Sequence, residues 1–321
     1  MVRRASLCHG AALAAVLAAL PWAAAWGDEG GTAFWLSGQY ASLAAVPPTP
    51  GWTLSTMLYG YSGSADADEV LPRGKALATG LSSHEPLLML QPTYAPEAGM
   101  LGGQPSFGLG FGYGRNTTQA DVSVSLRGIE LTPSETVWGW TDVSPFAGLA
   151  WSRGVHNWMT YLTGNIPVGS YDSNRLSNIG IGHAAIDAGG GYTYLDQATG
   201  REFSAVVGFT YNFENPSTDY RSGLDSHLDW GASIFLSAAW EAGLAGYVYY
   251  QLTGDSGSGA TLGPFKSRVA SIGPQFGCTF TVGGQQWYAN LRGYYEFWAR
   301  NRLEGGALFL TLNIPLGGPT K

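Results

Sequence analysis

Charge is scarce in this chain. Only 12% of its 321 residues are Asp, Glu, Lys or Arg, against about 25% in an ordinary soluble domain, yet the mean hydropathy is close to zero. Much of the surface therefore faces something other than water. Long apolar runs are missing as well: downstream of the first 27 residues no stretch reaches about 20 consecutive apolar residues, which excludes an ordinary helical membrane protein. A barrel stays open, because it hides its membrane face in alternation. Cysteine is confined to Cys8 and Cys278, so once the leader is removed there is neither an internal disulfide nor a CxxC metal pair. With a formal charge of −7, no nucleic-acid partner is expected.

The N-terminus reads as an export signal over residues 1–27. Arg3 and Arg4 form a basic start, ALAAVLAALPWAAA an apolar core, and Ala23 to Ala25 a small-residue cleavage site. The paired arginines hint at the twin-arginine route, but a barrel must cross the inner membrane unfolded, so general secretion is the expected route. Cys8 precedes the apolar core and lacks a lipobox. Residues 28–50 lack sustained alternation and end in a proline cluster that breaks any strand, which predicts an N-terminal periplasmic or plug segment at the barrel mouth.

What the chain has in quantity is glycine (47), tryptophan (12) and tyrosine (17), laid down with a period of two. The stretch QQWYANLRGYYEFWARNR places Trp287, Ala289, Leu291, Tyr295, Phe297 and Ala299 on one face. Gln286, Tyr288, Asn290, Arg292, Tyr294, Glu296, Trp298 and Arg300 fall on the other. The same rhythm recurs from Gly51 to Ile314. Pro105 to Tyr113 alternates aromatics with Ser106, Gly108, Gly110 and Gly112; these glycines open no helix, so they are not a phosphate loop. From Asp121 the apolar set moves to even numbers, a phase slip that calls for a bulge or turn near Asn116. Connections near Gly154, Asp196 to Gly200, Ala239 and Gly283 are short. Those at Val168 to Ile181, Glu214 to Asp225 and Gly254 to Phe265 are longer. Alternating short and long connections predict an all-β transmembrane antiparallel barrel over residues 51–316, of about 12 strands with 14 as the variant, followed by a tail at 317–321.

The strings NIPVGSYDSNRLSNIGIGHAAIDAGGGYTYLD, FTYNFENPSTDYRSGLDSHLDWGAS and YYQLTGDSGSGA resemble a bacterial outer-membrane transporter family of the meta-pathway of phenol degradation, over roughly Thr32 to Leu316. The resemblance implies an outer-membrane barrel distantly similar to long-chain fatty acid and aromatic hydrocarbon channels, with an N-terminal segment plugging the lumen. It carries no catalytic or binding residues. Many such barrels finish on an aromatic residue, whereas this chain ends IPLGGPTK.

If the apolar faces meet lipid, the lumen is lined by the other set. Tyr247, Tyr249, Tyr294, Trp298, Arg292, Glu296, Asp229 and His183 are its candidate substrate-binding members. Rings on such a wall offer stacking and dispersion contacts to a planar solute, and the carboxamides and hydroxyls can bind a phenolic oxygen. Arg292 and Glu296 lie about 13 Å apart on one strand, so the arginine is expected to pair across strands with Asp229, Asp187 or Glu202. His183 and His227 have Asp187 and Asp229 at i+4 and i+2, but no GxSxG elbow or HExxH accompanies them. Neither an enzyme, a metal site nor a cofactor is expected. The reading is a passive channel for small hydrophobic or aromatic compounds such as phenol-like solutes. Its partners are outer-membrane lipid, the solute and, during biogenesis, the barrel-assembly machinery. The competing reading is a structural or surface-interaction barrel without a transport role.

Overall fold

The computed structural model describes residues 33–65, 70–73, 76–124, 129–131, 133–261 and 263–317. The predicted signal peptide, residues 28–32, the run Asp66, Asp68, Glu69 and residues 318–321 of the tail lie outside the described residues. In chain order the strands are β1 (Gly51–Ser64), β2 (Val70–Arg73), β3 (Ala76–Ala95), β4 (Gln104–Val124) and β5 (Ile129–Leu131). There follow β6 (Ser134–Trp140), β7 (Ser144–Arg153), β8 (His156–Asn165), β9 (Ala185–Asp196) and β10 (Arg201–Asn212). The last are β11 (Asp225–Phe235), β12 (Trp240–Gln251), β13 (Arg268–Val282), β14 (Gln285–Arg300) and β15 (Glu304–Pro315).

The long strands pair antiparallel around the wall, β15 returns to β1, and β3 pairs with β4, so the barrel closes, while β2, β5 and β6 each pair on one side. Closure gives the strands of the wall partners on both sides, the condition for strands in hydrocarbon. The wall has 12 strands. β6 and β7 are two halves of one of them, since Tyr113 of β4 faces Trp140 while Gly110 faces Ser144. β2 and β5 extend the β3 and β4 hairpins.

The alternation sorts as a membrane barrel requires. Leu58, Leu88, Phe107, Leu109, Leu244, Phe276, Leu291 and Leu308 point outward and stay exposed, while Asp187, Glu202, Asp229, Asn290 and Glu296 point inward and are buried. Aromatic pairs gird both ends: Trp52–Tyr94, Trp158–Tyr192 and Phe280–Trp287 at the short-turn end, Tyr113–Trp138, Tyr211–Phe213 and Tyr250–Trp298 at the long-loop end. Short turns mark the periplasmic end.

The slip expected at Asn116 is neither a bulge nor a turn. β4 runs straight through it, with Gly112, Gly114, Asn116, Thr118 and Ala120 all buried in unbroken alternation. What changes is the medium: Arg115, Thr117 and Gln119 are the outward residues of a strand that has left the hydrocarbon zone. The register shift lies on β3 instead, between Thr79 and Ser82, where Gly80 takes a φ of 56°.

Candidate functional site

The barrel interior is built around residues 33–50, which lie against the inward faces of β9 to β14. Four wall positions accept from the backbone N–H groups of this segment, among them Ser204 Oγ from Ala44 (3.3 Å). Asp229 accepts from the N–H groups of Gly38 (2.9 Å) and Tyr40 (3.2 Å). Glu202 accepts from Leu43 N–H (3.0 Å) and from the Ser42 hydroxyl (2.8 Å). Thr193 Oγ1 accepts from Ala45 N–H (2.9 Å). Carbonyls are met too, since Arg292 Nη2 donates to Gln39 O (3.2 Å) and Tyr294 OH to Gly38 O (3.1 Å). Gly38 has to be glycine here: its φ is 84°, and a Cβ would stand 2.8 Å from ring atoms of both Tyr247 and Tyr294. Trp35 anchors the other end, its indole stacked on the His227 imidazole at 3.6 Å between centroids and 14° between planes.

Seven of the eight candidate lumen residues point inward. Tyr247, Tyr249 and Tyr294 are buried in one cluster with Phe309, and Tyr59 and Tyr61 pack against it. Glu296 accepts from Tyr61 OH (2.9 Å), Tyr247 OH (2.7 Å) and Gly305 N–H (2.8 Å). His183 contacts Ile181 O through Nδ1 (3.1 Å) and Asn212 Oδ1 through Nε2 (3.3 Å).

Trp298 is a correction. It is 46% exposed on the outside of the barrel, with a φ of 62°. The β13–β14 register slips here, Arg268 facing Arg300 while Ala270 faces Phe297, so Phe297 and Trp298 both point outward and Trp298 leaves the lumen face.

The partner expected for Arg292 is a second correction. Besides Gln39 O it donates to Asn290 Oδ1 (3.0 Å) and Thr311 Oγ1 (3.3 Å) and lies 5.2 Å over the Phe309 ring. Asp187 Oδ2 instead lies 3.0 Å from His227 Nε2, a hydrogen bond that is an ion pair when the imidazole is protonated. Asp187 also accepts from Tyr161 OH (2.8 Å) and Thr210 Oγ1, so both carboxylate oxygens are satisfied and the group holds the wall together.

At the outer end the long loops are tied down by buried carboxylates. Asp142, in the break between β6 and β7, accepts from Gly169 N–H (2.8 Å), Ile181 N–H (2.9 Å) and Asn165 Nδ2 (3.0 Å), clasping the two ends of the 166–184 loop. Asp255 accepts from Tyr220 OH and Gly223 N–H, joining the 213–224 loop to the one at 252–267.

On the lipid side a depression of about 540 Å³ opens against β1, β13, β14 and β15, floored by Gly60, Gly273, Pro274, Gly293, Gly306 and Tyr294. The wall is thin there. A Cβ on Gly273 would stand 1.7 Å from Gly293 O, so the two backbones meet without side chains between them. The β13–β14 register passes from Ile272–Tyr295 to Gln275–Arg292 with nothing paired at Gly273 and Pro274, and Pro274 has no N–H to give.

Residues 87–312 match the family described as "Putative MetA-pathway of phenol degradation". The chain belongs to this family. No curated protein matches it. Among solved structures, an outer membrane channel from Pseudomonas putida F1 superposes with a TM-score of 0.66 at 10% identity, over 84% of this chain and 97% of that one. The β domain of the Bordetella autotransporter Brka gives 0.48 at 11% identity, covering 84% of this chain and 100% of that one. A FadL homologue from Pseudomonas aeruginosa gives 0.40 at 11% identity, covering 85% and 77%. The closed barrel with its apolar outer face places the protein in the bacterial outer membrane.

Sequence reasoning did not find Trp35, Gly38 or Ser42 as lumen residues. A signal for them exists in the charge balance of the inner face. Asp187, Glu202, Asp229, Glu241 and Glu296 all point inward on the strands, against Arg292 among the inward strand residues whose side chains are described, and Arg302 beyond the end of β14, stacked on Tyr249. Buried carboxylates in such excess must take N–H and O–H donors from elsewhere, and a backbone segment threaded through the lumen supplies them.

Proposed function

We propose that the protein is a passive outer-membrane channel for small hydrophobic or aromatic compounds such as phenol-like solutes, with no catalytic role. One observation carries the reading: the tyrosine cluster inside the barrel, Tyr247, Tyr249 and Tyr294, lies directly behind the glycine-floored depression on the lipid side, with Tyr294 common to both. A weakly polar solute partitions into the outer leaflet, meets wall without side chains, and has aromatic faces to bind once inside. Each contact that removes about 40 Å² of apolar area contributes about 1 kcal/mol, enough to concentrate a dilute solute and weak enough to release it. Arg292 and Glu296 set the polarity that passes, and displacement of residues 33–50 opens the lumen towards the periplasm.

The test is uptake into liposomes carrying wild type or the Tyr249→Ala/Tyr294→Ala double variant, with phenol and a sugar of similar size compared in the same vesicles. Phenol uptake relative to the sugar should fall in the variant while heat-modifiable gel mobility stays unchanged. An unchanged ratio, or wild-type phenol uptake no faster than in protein-free vesicles, refutes transport and favours a barrel whose outer loops bind a partner.

A further inference from the structure

Three arginine–aromatic stacks stand on the outer surface at the long-loop end. Arg115 lies 5.7 Å over Trp138, Arg221 4.6 Å over Tyr211, and Arg268 4.5 Å over Trp298. Trp138, Tyr211 and Trp298 are exposed, and all three belong to the outer aromatic girdle, so the guanidiniums sit where hydrocarbon gives way to headgroups. The third stack is the most built. Arg268 faces Arg300 directly across the β13–β14 ladder. Two like charges in that position destabilise a sheet unless something of opposite sign lies between them.

Among the described residues no ion pair supplies that opposite charge: no carboxylate pairs with Arg268 or Arg300, and Arg268 Nε is buried without a hydrogen-bond partner. Glu304, the first residue of β15, accepts from the Ala299 N–H through Oε2 at 2.9 Å. The register slip that turns Trp298 outward restores Arg300 to the outer face and puts the indole under Arg268. Tyr250 stacks beyond Trp298 at 6.4 Å, completing an apolar floor for a lipid chain beside the two cations.

We propose that Arg268 and Arg300, on the floor of Trp298 and Tyr250, form a binding site for a phosphate group of an outer-leaflet lipid headgroup. Two forked guanidiniums match the oxygens of one phosphate by paired charge-assisted hydrogen bonds. The acyl chain of the same lipid covers the rings, which a free phosphate does not. The site is independent of the transport reading, since it faces away from the lumen.

Detergent-solubilised protein is titrated with phosphorylated lipid A, with dephosphorylated lipid A and with inorganic pyrophosphate, bound lipid being read by native mass spectrometry. Loss of both forks in Arg268→Gln/Arg300→Gln should weaken phosphorylated lipid A binding by about tenfold or more. Dephosphorylated lipid should bind wild type no better than the double variant. Trp298→Ala, which leaves both charges, should weaken lipid binding to an intermediate degree. The control is Arg153→Gln/Arg201→Gln, the same loss of charge at the periplasmic end, which should leave binding unchanged. Equal weakening by the control pair means that net charge alone attracts the lipid and overturns the site. Pyrophosphate competing as well as the lipid overturns the lipid assignment. Undiminished binding in the double variant or in Trp298→Ala refutes the proposal, and heat-modifiable mobility identifies any variant that has failed to fold.

Discussion

Replacing Asp229 by Ala removes a carboxylate that holds the backbone of residues 33–50 at two of its N–H groups. It accepts from Gly38 and Tyr40 at 2.9 and 3.2 Å, both inside the barrel. A hydrogen bond to a charged group contributes about 1.5–3 kcal/mol, so losing two removes about 3–6 kcal/mol of gross interaction and leaves two buried N–H groups unpaired. Water admitted to the vacated space offsets about half to two-thirds of this, leaving about 1.5–2 kcal/mol against the bound segment. At about 1.4 kcal/mol per factor of ten, the displaced population rises about 10- to 30-fold. The remaining contacts, Glu202 with Leu43 and Ser42 and Thr193 with Ala45, keep the far part of the segment in place, so the release is partial. Open probability in planar bilayers reads the change directly. Reactivity of Ser42→Cys towards a membrane-impermeant thiol reagent, in a Cys278→Ser background, reads it independently. If neither differs between Asp229→Ala and its parent, the carboxylate does not hold the segment and the account of the lumen fails.

Val207 is 48% exposed on the lipid face at the middle of β10, so Val207→Arg should impair assembly at a cost of about 2–4 kcal/mol, seen as loss of heat-modifiable mobility, and more than Ile234→Arg, where Arg201 is the cross-strand partner at the periplasmic end and the cost falls to about 0–1 kcal/mol. Ser233, beside Ile234, points inward to Ser42 (2.8 Å) and Gln275 (2.9 Å), so Ser233→Arg should assemble normally but push the segment aside and raise conductance; harm equal to that from Val207→Arg means the faces are misassigned. Asp142→Ala frees both ends of the 166–184 loop and should make that loop the first site cut by protease added to intact cells, and unchanged cleavage argues against the clasp.

Period-two alternation determined the fold class, the face of nearly every strand and which end of the barrel carries the long loops. The reason is local. A side chain on a strand points to one face or the other by its parity, and lipid on one side and protein on the other select opposite chemistry. The same reasoning failed where parity and chemistry part company. At Asn116 the strand stays regular while its surroundings change from hydrocarbon to water, so polar outward residues imitate a slip. At Trp298 the opposite holds: a register slip exists, but an indole is acceptable on either face and the sequence does not reveal it.

The path of residues 33–50 was decided only by the tertiary structure. Those residues make no strand, and their hydrogen bonds run to Asp229, Glu202 and Thr193, about 150 to 190 positions away in the chain. Their placement follows from buried carboxylates on strands far apart in sequence converging in a closed barrel and needing donors there. Inward-facing residues such as Arg292 and Tyr294 could be read from alternation. Whether each met water, a solute or a backbone could be read only once the barrel had closed around them.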